Sequence, residues 1–210
     1  MLRNMTDLEQ ITALLLVEAG ECARWEYSAS LHCPKGPLLE FSTEKLENRA
    51  NPSSALLDSI SNWPNFVLHH NHLSGESLSF ADWRGASVYF NEIYAHCNDG
   101  TSYYGRVLNK EKVLSVIQNK KDFIEMHAEN HLFNYTNNIQ LDAFFRKEVI
   151  CRALKIRGYV EYGYLWGAKQ VNHQAILTMN IPGIQSIGQL GTAYERWIQS
   201  AALDLSKDNW

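Results

Sequence analysis

No run of apolar residues in this 210-residue chain exceeds the five at positions 13–17, far short of the roughly 20 that cross a bilayer as a helix. The opening residues carry no basic, apolar and small-residue succession, so no secretory signal is expected. Cysteine is sparse. The four occur at positions 22, 33, 97 and 151, none close to another. That spacing disfavours a disulfide framework or a zinc ribbon and fits a reduced, cytoplasmic protein. Internal repeats and low-complexity linkers are also missing. Positive charge is thin in the front half, where residues 1–109 hold seven Lys/Arg against thirteen Asp/Glu. Binding to a phosphate backbone draws its strength from neutralising charge, so nucleic acid is a disfavoured partner. Residues 110–157 reverse the balance, nine against six, which leaves an acidic partner open.

Aromatic residues are not scarce. With 6 Trp, 10 Tyr, 8 Phe and 45% hydrophobic residues, the chain can bury a real core, and disorder is excluded. Thr6-x-x-Glu9 reads as a capping box opening a helix with Leu8, Ile11 and Leu15 on helical spacing, and Gly20 as its end. From Glu21 the pattern alternates. Ala23, Trp25, Tyr27, Ala29 and Leu31 fall on one face and Arg24, Glu26, Ser28 and Ser30 on the other, as in a half-buried strand. Pro34-Lys35-Gly36-Pro37 predicts a turn into a second strand over 38–43. Asn51-Pro52-Ser53-Ser54 opens a short expected helix through Ile60, with Pro in its first turn, broken at 62–64. The apolar run 66–68 suits a buried strand, and a helix capped by Ser79 is expected to reach about residue 97. Another strand follows at 103–108. The remainder reads as mostly helical (110–133, 139–157, 190–204), interrupted by strand-like stretches at 159–166 and 175–179. Alternation of this kind predicts an α/β fold, a mixed sheet flanked by helices over 1–108 with a mostly helical extension over 109–210.

The chemistry lies in His69-His70-Asn71-His72-Leu73-Ser74-Gly75, followed by Ser79-Phe80-Ala81-Asp82. His70 and His72, two apart at the end of a strand, point to the same side. A carboxylate in the first turn of the next helix, Asp82, can swing back over the loop. Two imidazoles, a carboxylate and a water make a tetrahedral zinc site with one open position, able to supply hydroxide near neutral pH. Ser79 and Asp82 also read as a plain helix cap.

These residues resemble the JAB/MPN (JAMM) metalloenzyme family, whose pattern is H-x-H, seven residues, then S-x-x-D, with a Glu far upstream. The wording around His70-Asn71-His72 is closest to the RadC-like branch. Leu73 stands where that branch has proline, and six residues instead of seven separate His72 from Ser79. The resemblance covers about residues 7–108. It implies a JAB/MPN-like fold and a Zn2+-dependent hydrolase of peptide or isopeptide bonds, with a protein or ubiquitin-like conjugate as substrate. It further implies that His70, His72 and Asp82 bind the ion, that Ser79 helps polarise the tetrahedral intermediate, and that an upstream Glu is general base. Glu21 holds the family position for that base, with Glu26 and Glu40 as rivals. His69-x-x-His72 is a fallback ligand pair.

Other readings remain. His69-His70-Asn71 with Asn91 is similar to HNH nucleases, but the paired Cys-x-x-Cys motifs are missing. A non-catalytic JAB-fold module serving as an interaction scaffold is a third class. His127-Ala128-Glu129-Asn130-His131 places two histidines on one helix face, yet Glu129 is out of the zincin slot and no third ligand is evident, so an exposed helix face is expected. The helix over 139–157, with Arg146, Lys147, Arg152, Lys155 and Arg157, offers a basic surface to a partner protein. Tyr159, Tyr162, Tyr164 and Trp166 read as core.

Overall fold

A computed structural model describes residues 3–32, 36–60 and 65–210. Cys33, part of the turn expected at 34–37 and the break expected at 62–64 lie outside them. Thr6 opens α1 (Asp7–Ala23), and its capping box with Glu9 is present in full. The helix runs through Gly20 and ends on Arg24 in the left-handed conformation, so the expected stop at Gly20 is corrected. Gly20 serves a close approach. A Cβ there would lie 2.1 Å from Asn71 Nδ2, and this lets α1 lie directly on the sheet. The helix buries Glu9, Thr12, Ala13, Leu16 and Gly20, while Leu8, Ile11 and Leu15 face outward.

Among the described residues six strands form one mixed sheet in the order β2-β1-β3-β4-β5-β6. They are β1 (Ser28–His32), β2 (Leu38–Ser42), β3 (Phe66–Asn71), β4 (Glu92–His96), β5 (Ser102–Val107) and β6 (Val160–Leu165). Only β3 and β4 run parallel; the other neighbours are antiparallel. Between them lie α2 (Ser54–Ile60), α3 (Phe80–Val88), α4 (Lys110–Asn119), α5 (Lys121–Thr136) and α6 (Ile139–Ile156); α7 (Gln174–Met179) and α8 (Ile187–Leu205) follow. Helices cover both faces, and the fold is α/β.

Three expectations change. The helix after Ser79 stops at Val88, and 92–96 is β4, a central strand paired with β3 and β5. The helix expected over 110–133 is two, α4 and α5. The stretch at 175–179 is helical because the His173 ring accepts the Ala175 N–H and caps it. The extension beyond residue 108 is mostly helical but supplies β6 to the same sheet.

The larger hydrophobic cluster joins β3, β4 and β5 to α3, α4, α5, α6 and α8, with Trp83, Phe145 and Leu154 among its fully buried side chains. Gly105 on β5 leaves room for Trp83, whose ring would be 2.7 Å from a Cβ there. Emptying such a site costs about 3–5 kcal/mol. A smaller cluster of Leu16, Ala29, Leu31, Val67, Tyr94 and Tyr104 fills the α1 side. Buried free thiols at Cys97 and Cys151 pack as small core residues. Among the described residues no helix is long and apolar enough to cross a membrane.

Candidate metal centre

Every residue of β3 is buried, because neighbouring strands flank it and helices cover both its faces. Side chains alternate along it, so His69 and His70 part to opposite sides. His70 faces the α3 side, opposite Ser28 of β1. His72 continues that side just past the strand end, where its N–H still bonds to His96 O at 2.9 Å. Asn71 fixes the geometry from behind: its Oδ1 accepts the Tyr27 N–H at 2.6 Å and its Nδ2 donates to Trp25 O at 3.3 Å.

The cap of α3 aims Asp82. Ser79 is the N-cap, its hydroxyl accepts the Asp82 N–H at 3.3 Å, and Asp82 Oδ2 accepts from Ser79 N at 2.6 Å and Ser79 Oγ at 2.7 Å. A capping box folds the third-position side chain back toward the N-cap, here toward the histidine loop. The six-residue loop closes on Gly75, whose φ of +70° is a left-handed conformation suited to glycine. It is held by Tyr103 Oη on Gly75 O at 3.0 Å, by the His173 ring on Leu73 O at 2.9 Å and by the Lys147–Glu76 ion pair at 2.8 Å.

The donors converge. His70 Nε2 lies 2.8 Å from His72 Nε2 and 3.3 Å from Asp82 Oδ1, and His72 Nε2 lies 3.7 Å from Asp82 Oδ2. Ligands about 2.0–2.1 Å from a tetrahedral ion sit roughly 3.3 Å apart, which these separations straddle. His72 Nδ1 faces Glu76 O at 2.7 Å. Donating there leaves the Nε2 lone pair aimed at the shared point, as outer hydrogen bonds do for metal-ligating histidines. The three residues form a possible metal site with two nitrogen donors and one oxygen donor.

Electrostatics agree with the geometry. Burial works against protonation of His70, but the Asp82 carboxylate, aided by Glu26, outweighs it and raises the pKa. Burial and then the charge on His70 hold His72 down at about 4. For Asp82 burial pushes upward, yet His70 and His72 keep the carboxyl well below the usual range. The Asp82 carboxylate thus favours positive charge on His70, and a divalent cation placed among the three donors would meet the same demand.

Glu26 is the carboxylate that accompanies them. It stands two residues ahead of β1, on the face of Ser28 and Ser30, and is buried with them. Burial drives its pKa up to about 7; the Asp82 charge adds to this, while His70, Lys147 and a Leu73 backbone hydrogen bond oppose it. Glu21 lines a small cavity with Asn71, His72 and His96. The expectation that it begins the first strand is corrected, since α1 extends past it and its partner is Lys169 at 3.6 Å. Glu40 on β2, half-buried opposite Ser30, accepts from Ser53 N at 2.8 Å. The His69-x-x-His72 pairing is corrected as well. His69 turns to the α1 face, where it meets His96 at 2.9 Å and Glu9 at 3.4 Å. Asn91 bonds to residue 65 at the far end of β3, away from the histidines.

The basic helix, now α6, is largely internal. Arg152 is buried between Glu148 and Glu195, Arg146 pairs with Glu129, Lys147 with Glu76, and Arg157 bonds the carbonyls of Ser206, Asp208 and Trp210. Four of the five basic residues are thus engaged within the fold, while Lys155 stays exposed. Tyr162 is buried, and the Trp166 indole donates to Glu195 at 3.0 Å. Comparison with protein families, with curated proteins and with solved structures finds no match to this chain.

Proposed function

We propose that this chain is a zinc-dependent hydrolase of the JAMM type, cleaving a peptide or isopeptide bond in a protein tail or a ubiquitin-like conjugate. The observation that carries the reading is the convergence of His70 Nε2, His72 Nε2 and the Asp82 carboxylate beside a buried Glu26. His70, His72 and Asp82 hold the ion. When bound, zinc supplies Lewis acidity toward a carbonyl oxygen and acidifies water near neutral pH.

The chain's own residues do the rest. Glu26 takes the proton of the attacking water and returns it to the leaving nitrogen; a carboxyl poised at about 7 suits both steps. In this reading Glu26 replaces Glu21 as the base, because its charge acts on His70 while Glu21 faces Lys169. Ser79 fixes the Asp82 carboxylate, and its one O–H would have to turn from Asp82 Oδ2 to donate to a developing oxyanion. Elemental analysis of the tag-free chain tests the assignment. The His70→Ala/His72→Ala variant is expected to lose a zinc equivalent, and unchanged zinc would overturn the reading. Glu26→Gln is expected to keep zinc and lose about 10²–10⁴-fold in isopeptide hydrolysis.

A further inference from the structure

The two histidines of α5 that sequence spacing left without a third ligand acquire one from the end of the chain. His127 and His131, four residues apart, share one face of α5. Asp208, in the turn after α8, places Oδ2 2.7 Å from His127 Nδ1 and 2.9 Å from His131 Nε2. One donor atom from each residue lies within 4.8 Å of the others. The three side chains are 31%, 24% and 21% exposed, open enough for an ion and a completing water to enter.

The frame is built on both sides. The Phe123 ring stacks on His127 at 3.8 Å between centroids. The Arg157 guanidinium grips the Ser206, Asp208 and Trp210 carbonyls and lies 3.6 Å over the Trp210 ring. Arg157 engages the Asp208 backbone, so the Asp208 carboxylate is left to the two imidazoles. Asp204, one turn earlier, adds negative charge near His131. Two imidazoles and a carboxylate suit the zinc–copper end of the first-row dications; calcium and magnesium require oxygen donors. To reach a tetrahedral spacing of roughly 3.3 Å, the rings part from Asp208 by about half an ångström and their nitrogens, within 4.8 Å of each other, close to the same spacing.

We propose that His127, His131 and Asp208 form a second, surface site for a zinc-class dication, which clasps the chain's C-terminal turn to α5. It lies on different elements from the His70/His72/Asp82 centre and is independent of the hydrolase reading.

The test is titration of metal-free, tag-free chain with Zn2+, followed by calorimetry and thermal melts. The wild type is expected to take two equivalents. The His70→Ala/His72→Ala variant should retain one, and His127→Gln/His131→Gln should lose one while keeping the other. Asp208→Asn, which preserves shape, should weaken the second equivalent at least tenfold. Zinc a hundredfold above its dissociation constant should raise the melting temperature of the His70→Ala/His72→Ala chain by roughly 5 °C or more, with no such rise once His127 and His131 are also replaced. Equal zinc uptake by wild type and both α5-site variants overturns the proposal. So does a single wild-type equivalent that disappears with His70 and His72, an outcome that leaves the hydrolase reading standing. One equivalent lost only with His127 and His131 supports the clasp and overturns the hydrolase.

Discussion

β3 delivers buried histidines to both faces of the sheet, and the two faces resolve them differently. On the α1 side, His69 Nδ1 meets His96 Nε2, His69 Nε2 meets Glu9, and His96 Nδ1 meets Ser102 Oγ at 3.0 Å. Arg3 neutralises Glu9, bonding it at 3.0 Å, and lies over Tyr94. Each ring nitrogen has its own neighbour, so the network is closed and needs nothing further. On the α3 side, His70 Nε2 and His72 Nε2 turn toward each other and toward one carboxylate. Burial alone therefore does not mark a metal centre. Convergence of lone pairs on one point makes a possible metal site.

Substitution should separate the two faces. The largest effect is expected from Glu26→Gln, which should lower hydrolysis by about 10²–10⁴-fold with zinc retained; activity within twofold of wild type would remove Glu26 as the base. His69→Ala should act the other way. It empties a fully buried site and takes one partner each from Glu9 and His96, so unfolding in urea should reveal a loss of about 2–4 kcal/mol with zinc content unchanged. If His69→Ala instead removes zinc and leaves stability intact, the assignment of the two faces is reversed.

A third effect, smaller again, concerns Glu26 in chelator-treated chain. Its folded pKa, about 7, stands above its ordinary 4.5, so the stability it confers is fully present below about 4.5 and is lost as pH rises through about 7. At pH 8 the buried charge opposes folding. Glu26→Gln should then stabilise the metal-free chain by on the order of 2 kcal/mol, read as a higher denaturation midpoint, with the gain shrinking toward pH 5. The same carboxylate would thus be a cost to the fold and a requirement of the chemistry.

Much of this was legible before any coordinates. The apolar run ending in His70-x-His72 reads as a short buried strand and Ser79-x-x-Asp82 as a helix start, but whether they meet across a six-residue loop is set by the tertiary contacts that pin that loop. The role of Glu26 was not legible. Alternation placed it with Ser28 and Ser30 on a polar face, but periodicity cannot tell a face turned to water from one turned to a buried site. Both faces of β1 proved to be covered. β4 was hidden for a related reason. Residues 88–97 carry no glycine or proline to break the preceding helix, and their strand character comes from parallel pairing with β3, a contact no local window contains. Gly20 misled because a helix end and a close approach both call for glycine, and only the position of Asn71 decides between them.

The closed face also offers a milder test through Glu9. Burial would push its carboxyl upward, but the hydrogen bonds from His69, Arg3 and the Thr6 backbone hold it well below the usual range. With a folded pKa below the unfolded one, its contribution is present above about 4.5 and is lost as pH falls. Wild-type stability should therefore decline between pH 5 and 3 by on the order of 1 kcal/mol more than that of Glu9→Gln, measured as paired urea midpoints across that window. Parallel pH profiles for the two chains would show that Glu9 is not held as a charge. The face under α1 would then be a looser polar pocket, and its contrast with the converging donors opposite would lose its basis.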